Sequence, residues 1–354
     1  VASEAVFSNL DKVYIFTYDL AIIQYVKKEY HWTNKIEAVL RSDATATDEA
    51  STEMAMLEFA DKIGFDFDTL TLLQATSPFT KASDINAALE KVVSKTTVSS
   101  VSVVKTHRFT WNSDGEPQNY AIFKRPRRQD FEGLLIENGA IYTTTKTAFQ
   151  ESKNRISGTI SVIEMPEHTA TEIDSITDWS ICETVLMEHL KKQKTQQKID
   201  YLVLDVDGVF TDGGVFYDAN GEMAKKFDIR DGMGLEILRQ NSVEVVVMTS
   251  ENSEIVGQRM KKLQIENTFL GIKDKYSFLQ HFLKQKNSSF GAVAYVGDDV
   301  NDLANICSVG WSFAPNNATD IVKTHADFVL SKASAKGAIR EVCEIIMKYN
   351  KRYE

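Results

Sequence analysis

Residues 201–214 read Tyr-Leu-Val-Leu-Asp-Val-Asp-Gly-Val-Phe-Thr-Asp-Gly-Gly. The apolar run at 201–204 predicts a buried strand. It ends in two carboxylates, Asp205 and Asp207, and then Gly208, which lets the chain turn sharply. Carboxylates at the C-terminal tip of a buried strand stand where open α/β sheets bind ligands. Two residues apart on an extended segment, the pair is expected to point to one side and face one reacting centre. One can hold a hard cation while the other handles protons. Taken alone, such a pair also fits a solvated turn.

Working outward, the rest of this half supplies what the pair lacks. A second apolar run at 243–248 ends in Thr249-Ser250, and Lys275 follows in Gly-Ile-Lys-Asp-Lys. A third run at 293–296 leads into Gly297-Asp298-Asp299-Val300-Asn301-Asp302. Buried strands thus deliver a carboxylate pair, a hydroxyl, an amine and a second carboxylate pair in order. Asp205 fits a nucleophile attacking phosphorus, and Asp207 a general acid that protonates the leaving oxygen and then activates water. Thr249 and Lys275 can bind the phosphoryl oxygens whose charge must be stabilised. Asp205, Asp207 and Asp298 are the expected oxygen ligands of Mg2+. Lys275 by itself reads as a surface lysine. Four members in order on strand ends do not read as accident.

Residues 199–354 resemble the haloacid dehalogenase (HAD) superfamily, and within it the small capless phosphatases of acidic sugars. The likeness is to the 3-deoxy-octulosonate 8-phosphate phosphatases and their sialic-acid 9-phosphate relatives. Thr211-Asp212-Gly213-Gly214, Arg230-Asp231-Gly232-Met233-Gly234 and Gly337-Ala338-Ile339-Arg340-Glu341 are further local matches. The resemblance implies a Rossmannoid domain with a parallel sheet and no cap, residues 208–231 having room only for a short β-flap. It also implies a homo-oligomer, a tetramer, in which a neighbouring subunit covers the site, and it makes Arg340 a candidate substrate contact. In the 9-phosphate type, a glutamate just past the threonine and a lysine one helix further contact the nine-carbon sugar. Glu251 and Lys262 match those positions, whereas the octulosonate type tends to carry Gly-Arg there. Both types usually have glycine where this chain has Ser250.

The chain has 354 residues, a length that suggests two or three domains. Its net charge of −10 argues against nucleic acid as a general partner. Three widely spaced cysteines form no disulfide framework or zinc pattern, so a reducing cytoplasm is expected. No apolar run reaches membrane-spanning length. The polar stretch 191–198 separates a domain at 1–190 from one at 199–354. In the first domain, expected strands at 13–17, 70–74, 98–104, 140–144 and 160–164 alternate with amphipathic stretches at 20–30, 49–63 and 85–93. That alternation predicts an α/β layered domain with a largely parallel sheet.

Polar clusters in this half are Gln74-Ala75-Thr76-Ser77-Pro78 after a strand, the basic run Lys124-Arg125-Pro126-Arg127-Arg128-Gln129-Asp130, Glu137-Asn138-Gly139, and Glu172-Ile173-Asp174. The basic run suits carboxylate or phosphate oxygens, and otherwise is a solvated charge run. Glu172 and Asp174 fit a Mg2+ site for a nucleoside triphosphate or, equally, the start of a helix. Together these clusters resemble the acylneuraminate cytidylyltransferases over roughly residues 1–188. The resemblance implies a nucleotidyltransferase-like domain acting on CTP and a sialic acid. Glu172 and Asp174 match its metal pair, and Gln74, Ser77, Arg127, Arg128 and Asn138 match positions around sugar and nucleotide. Asp48 falls in a polar substrate-side loop. The family's opening Arg-x-Gly-Ser-Lys loop is not among these residues, so this N-truncated stretch is expected to bind CTP poorly. The combined expectation is a two-step enzyme, a sialic-acid 9-phosphate phosphatase joined to a domain making the CMP-sugar. One alternative is a non-catalytic HAD scaffold, as in animal CMP-sialate synthetases. The other keeps the enzyme and makes its sugar octulosonate 8-phosphate.

Overall fold

A computed structural model describes residues 1–47, 49–219 and 221–353, so Asp48 lies outside the described residues. The chain forms two compact units, Val1–Val185 and Leu186–Glu354. In the first, β1 (Val13–Thr17) and β2 (Ile36–Leu40) pair in parallel around the helix Leu20–Glu29. β3 (Thr69–Leu73), β4 (Ser99–Thr106), β5 (Leu134–Thr145) and β6 (Ile160–Met165) form a second sheet in the order β3-β5-β4-β6. Here the expected largely parallel sheet needs correction. β5 is antiparallel to both of its neighbours, and only β4 and β6 run parallel in this sheet. No crossover helix lies between β4 and β5. The chain returns along β4 after residues 107–133 and so pairs with it antiparallel. The helix Ala82–Val93 buries Ile85 and Ala88 in a core shared with Val104, Ile141 and Met165. Each such large aliphatic side chain contributes roughly 1.5–3 kcal/mol.

The helix Ile176–Gln193 runs three residues into the stretch expected to be a linker, and the unit division falls inside it. The residues that follow are pinned to the second unit. Lys194 pairs with Asp327 at 2.5 Å, and the Gln197 amide donates to the Gly291 carbonyl at 3.1 Å.

The second unit contains β7 (Tyr201–Leu204), β8 (Thr211–Asp218), β9 (Gly221–Phe227), β10 (Glu244–Met248), β11 (Asn267–Phe269), β12 (Val293–Val296), β13 (Trp311–Ala314) and β14 (Phe328–Val329). Six of these strands form one wholly parallel sheet, ordered β11-β10-β7-β12-β13-β14. Leu202, Val203, Leu204 and all of β12 are fully buried, which is why they read as unbroken apolar runs. From β7 the chain builds outward through β10 and β11 on one side, then returns to build β12 to β14 on the other. The cleft beside β7 and β12 is therefore the topological switch point, where such sheets bind ligands. β8 and β9 form a separate antiparallel hairpin, the short flap expected between Gly208 and Asp231.

Arg230-Asp231-Gly232-Met233-Gly234 lies where the helix Ile229–Gln240 meets the helix Ala338–Asn350. Asp231 is buried there and accepts from the Arg340 amide at 2.9 Å, satisfying an unpaired donor in that helix's first turn. Burial raises its pKa to about 6.

Candidate active site

The strand β7 stops at Leu204, and the chain curls at once. The amides of Val209, Phe210 and Thr211 all donate to the Val206 carbonyl, at 3.2, 2.8 and 2.9 Å. Asp205 and Asp207 therefore do not share the face of an extended strand, contrary to the expectation from their spacing. They take different partners. Asp205, 4% exposed, places Oδ1 at 2.9 Å from the Lys275 ammonium and 2.7 Å from the Val206 amide. Asp207 turns to the flap, where Lys225 Nζ donates to its two oxygens at 2.6 and 2.8 Å. The Thr211 hydroxyl donates to Asp207 Oδ1 at 3.3 Å. Gly208 has φ +84°, and a Cβ there would sit 1.9 Å from Asp298 Oδ2, so both the turn and that carboxylate require glycine.

Lys275 is delivered by a helix cap. Asp274 accepts from the Ser277 amide at 3.0 Å and starts the helix Lys275–Gln285, whose first side chain enters the core. Its ammonium bridges Asp205 and Asp302, the latter at 2.8 Å. Asp302 is fully buried. Its Oδ1 also accepts from the Tyr295 hydroxyl at 2.6 Å, and its Oδ2 from the Asp298 amide at 3.1 Å. Thr249 closes β10, buried, with its amide donating to the Phe269 carbonyl at 3.0 Å.

Asp205, Asp298 and Asp302 each offer an oxygen within 4.8 Å of the others. Against these three carboxylates the buried cluster holds one ammonium, Lys275. Burial, followed by the charge of Asp302, raises the Asp205 pKa to about 8, although Lys275 opposes the rise. Burial and then Asp302 and Asp299 raise Asp298 to about 7. Lys275 is desolvated, which favours the neutral amine, yet Asp302 and Asp205 more than reverse this and raise its pKa. Asp298 Oδ1 is buried with no hydrogen-bond partner among the described residues. Excess negative charge, an orphaned acceptor and an all-oxygen donor set fit a hard divalent cation.

Two residues of this centre escaped the sequence reading. Asp302 stands in the carboxylate group, whereas the Asp207 carboxylate, expected among the metal ligands, is engaged with Lys225 and Thr211. The signal for Asp302 lay in the quoted segment 297–302, whose short 3-10 turn Val300–Asp302 brings it back to the Asp298 amide. The other is Lys225, whose side chain is 2% exposed. It lies two residues before Phe227, which packs against Phe210 and the core. Strand alternation thus carries Lys225 to the inner face and leaves Lys226 outside.

The residues read as sugar contacts are more scattered. Glu251 and Lys262 are exposed, and Arg340 pairs with Glu344 at 2.7 Å. The Glu251 amide donates to the Thr249 hydroxyl at 3.3 Å, but among the described residues no hydrogen bond or ion pair joins any of the three side chains to Asp205, Lys275, Asp298 or Asp302. In the first unit, Gln74 and Glu172 converge over Gly139, where a Cβ would lie 3.2 Å from Gln74 Oε1 and 1.9 Å from Glu172 Oε1. The Ile173 amide donates to the Thr76 carbonyl at 2.9 Å and ties the two loops together. Burial, then the neighbouring Asp174, raises the Glu172 pKa. Ser77 is buried and its hydroxyl has no partner among the described residues. Asn138 is spent inside the fold, accepting from the Ser102 hydroxyl at 2.6 Å and donating to the Thr169 hydroxyl at 3.0 Å. Arg127 and Arg128 are exposed, and Arg127 pairs locally with Asp130 at 2.6 Å.

Residues 172–342 match the family described as haloacid dehalogenase-like hydrolases. The 3-deoxy-D-manno-octulosonate 8-phosphate phosphatase of Haemophilus influenzae is 38% identical over 156 residues, covering 44% of this chain and 87% of that protein. N-acylneuraminate cytidylyltransferase B of Danio rerio is 27% identical over 363 residues, covering 99% of this chain and 84% of that protein. Among solved structures, the 3-deoxy-D-manno-octulosonate 8-phosphate phosphatase of Moraxella catarrhalis, in complex with magnesium, phosphate and KDO, is 29% identical. It covers 48% of this chain and 94% of its own, with a TM-score of 0.43. Among the described residues no helix is long and apolar enough to cross a membrane.

Proposed function

Through its C-terminal half this chain belongs to the haloacid dehalogenase-like hydrolases, and we propose that this half hydrolyses the 9-phosphate of a nonulosonic (sialic-type) acid with Mg2+. The observation that carries the phosphatase reading is the buried ammonium of Lys275 between Asp205 and Asp302, beside the unpartnered oxygen of Asp298. Asp205 Oδ1 is held by Lys275 and the Val206 amide, so Oδ2 is the oxygen that attacks phosphorus. The bond from phosphorus to the sugar oxygen breaks, and that oxygen takes a proton from Asp207. Asp207 then takes a proton from water, whose oxygen attacks phosphorus and frees Asp205. Lys275 and Thr249 hold the equatorial oxygens throughout. Mg2+, held by Asp205, Asp298 and Asp302, would neutralise part of the phosphoryl charge.

The likeness to an N-acylneuraminate cytidylyltransferase along 99% of the chain supports a nine-carbon acid. Glu251 and Lys262 would meet its sugar, with Arg340 nearby. The first unit would then join the freed acid to CMP from CTP. Glu172 and Asp174 would hold the metal there, with Gln74 and Ser77 on the ligand side and Asn138 bracing the strand beneath. Arg127 and Arg128 would contribute cations from their loop. The 38% identity to an octulosonate 8-phosphate phosphatase favours a second reading, in which the eight-carbon phosphate is the substrate. We further propose a cytoplasmic homotetramer, supported by three buried free cysteines and by the exposed flap side chains Phe216, Tyr217 and Met223, which a neighbouring copy would cover.

The test is phosphate release from N-acetylneuraminate 9-phosphate, its deaminated analogue and octulosonate 8-phosphate, with Mg2+ or with EDTA. The proposal expects EDTA-sensitive turnover that prefers a 9-phosphate. Preference for the 8-phosphate reverses the sugar assignment. No turnover of any ester, from a folded protein, removes the phosphatase reading and favours a scaffold.

A further inference from the structure

The proton carrier Asp207 is not fixed by its own strand. Its backbone belongs to the tight turn that follows Asp205, and its side chain is partly open to solvent, at 28% exposure. A free carboxylate in that position would rotate among staggered arrangements, only some of which aim an oxygen at the leaving group. What holds it comes from the flap. Lys225 donates to both oxygens of Asp207, and its third partner is Glu222 at 3.1 Å on the same hairpin strand. Glu222 in turn accepts from the Ser253 hydroxyl, and that hydroxyl also accepts from the Val256 amide at 3.3 Å, capping the helix Glu254–Lys262. A chain of charge-assisted bonds therefore runs from the loop after Thr249, through the flap, to Asp207. Lys225 is its buried centre. Burial disfavours the charged ammonium, and the structure accepts that burden only because two carboxylates flank it.

We propose that Lys225 is the positioning residue for Asp207, and that the flap sets where the proton is delivered during ester cleavage. The inference rests on the phosphatase reading of the cluster around Asp205. In the step it serves, the bond between phosphorus and the ester oxygen breaks while Asp207 gives its proton to that oxygen. Lys225 touches neither reacting atom. Its effect must therefore scale with how much the leaving oxygen needs a proton. A sugar alkoxide needs one, whereas a nitrophenolate leaves without it.

The experiment compares kcat and KM of the full chain, of Lys225→Met and of Lys225→Arg on two esters, a sugar-acid phosphate and p-nitrophenyl phosphate. With Lys225→Met, kcat on the sugar ester should fall on the order of 10- to 100-fold, part of the 10²–10⁴ that a positioned general acid supplies. The loss on the aryl ester should be at least tenfold smaller, and Lys225→Arg should restore most of the sugar-ester rate. The aryl rate also reports that the variant is folded and its nucleophile intact. Equal losses on both esters would overturn the proposal, leaving Lys225 a role in the fold alone. A change confined to KM would overturn it in favour of a substrate contact, and no change would overturn it outright. If the unmodified chain hydrolyses neither ester, the phosphatase reading falls and this inference falls with it.

Discussion

Around β7 and β12 the buried groups are fixed one by the next, Asp205 by Lys275, Lys275 by Asp302, and Asp302 also by Tyr295 and the Asp298 amide. Of the three carboxylates, Asp298 alone keeps a buried oxygen without a partner among the described residues. At the end of β3 in the first unit the polar groups are gathered more loosely. Gln74 and Glu172 meet over Gly139, but Asp174 is exposed and Arg127 is spent on Asp130. The first arrangement is built by strand ends and a desolvated ion network, the second by loops. Rigid elements deliver side chains to one point without help, whereas loop-borne groups take their working positions from what they bind.

This contrast sets an order of expected effects. Asp205→Ala should lower phosphate release by a factor on the order of 10⁴ or more, because the group that bonds to phosphorus is gone. Steady-state assays on the same ester with and without the substitution measure it. Lys275→Met should act on stability as well as rate. Removing the ammonium leaves two buried carboxylates facing each other, and loss of one partner from a buried pair costs about 3–5 kcal/mol. Denaturant melts would show this drop, and added Mg2+ should recover part of it. An unchanged midpoint would mean that the cluster is not the tight network described.

Glu172→Gln tests whether the two sites are independent. It should lower transfer of CMP on the order of tenfold to a hundredfold while leaving phosphate release within about twofold. Parallel assays on one preparation decide this, and a matching loss of both activities would contradict it. Asp231 supplies a smaller effect with a pH signature. Its folded pKa of about 6 lies above the unfolded value of roughly 3.9, so the native state binds the proton more tightly. Its contribution to stability is therefore full at low pH, declines as pH rises from about 4 to about 6, and is flat beyond. Asp231→Asn should flatten that slope and stabilise the protein by about 1–2 kcal/mol at pH 8. Thermal melts across this range would reveal it. Arg127→Ala should change stability by less than about 0.5 kcal/mol, since its ion pair is exposed, at 73% for the arginine side chain.

What the sequence made legible follows the same division. The parallel sheet of the second unit could be anticipated because its strands are buried on both faces and read as continuous apolar runs. The short flap could be anticipated because residues 208–231 leave no room for more. Asp205, Asp298, Thr249 and Lys275 could be named because each stands at or just beyond a strand or helix boundary that the sequence marks. Asp302 and Lys225 were hidden because their roles depend on a 3-10 turn and on which face of a hairpin meets the core. In the first unit, β2 (Ile-Glu-Ala-Val-Leu) is not legible because an isolated five-residue run gives little periodicity. The antiparallel direction of β5 is not legible because its partner is chosen by the path of residues 107–133, which local pattern does not encode. Asn138 reads as a ligand residue from its neighbours, yet its amide serves Ser102 and Thr169, a distinction only burial reveals.

The most direct test of the central claim is to quench a turnover of the sugar-acid phosphate with Mg2+ and search by mass spectrometry for the phosphoryl group. The account predicts that it is found on the peptide carrying Asp205, at the carboxylate itself, and that it is absent when EDTA is present. Phosphate released with no such adduct, or an adduct on any other residue, would contradict it.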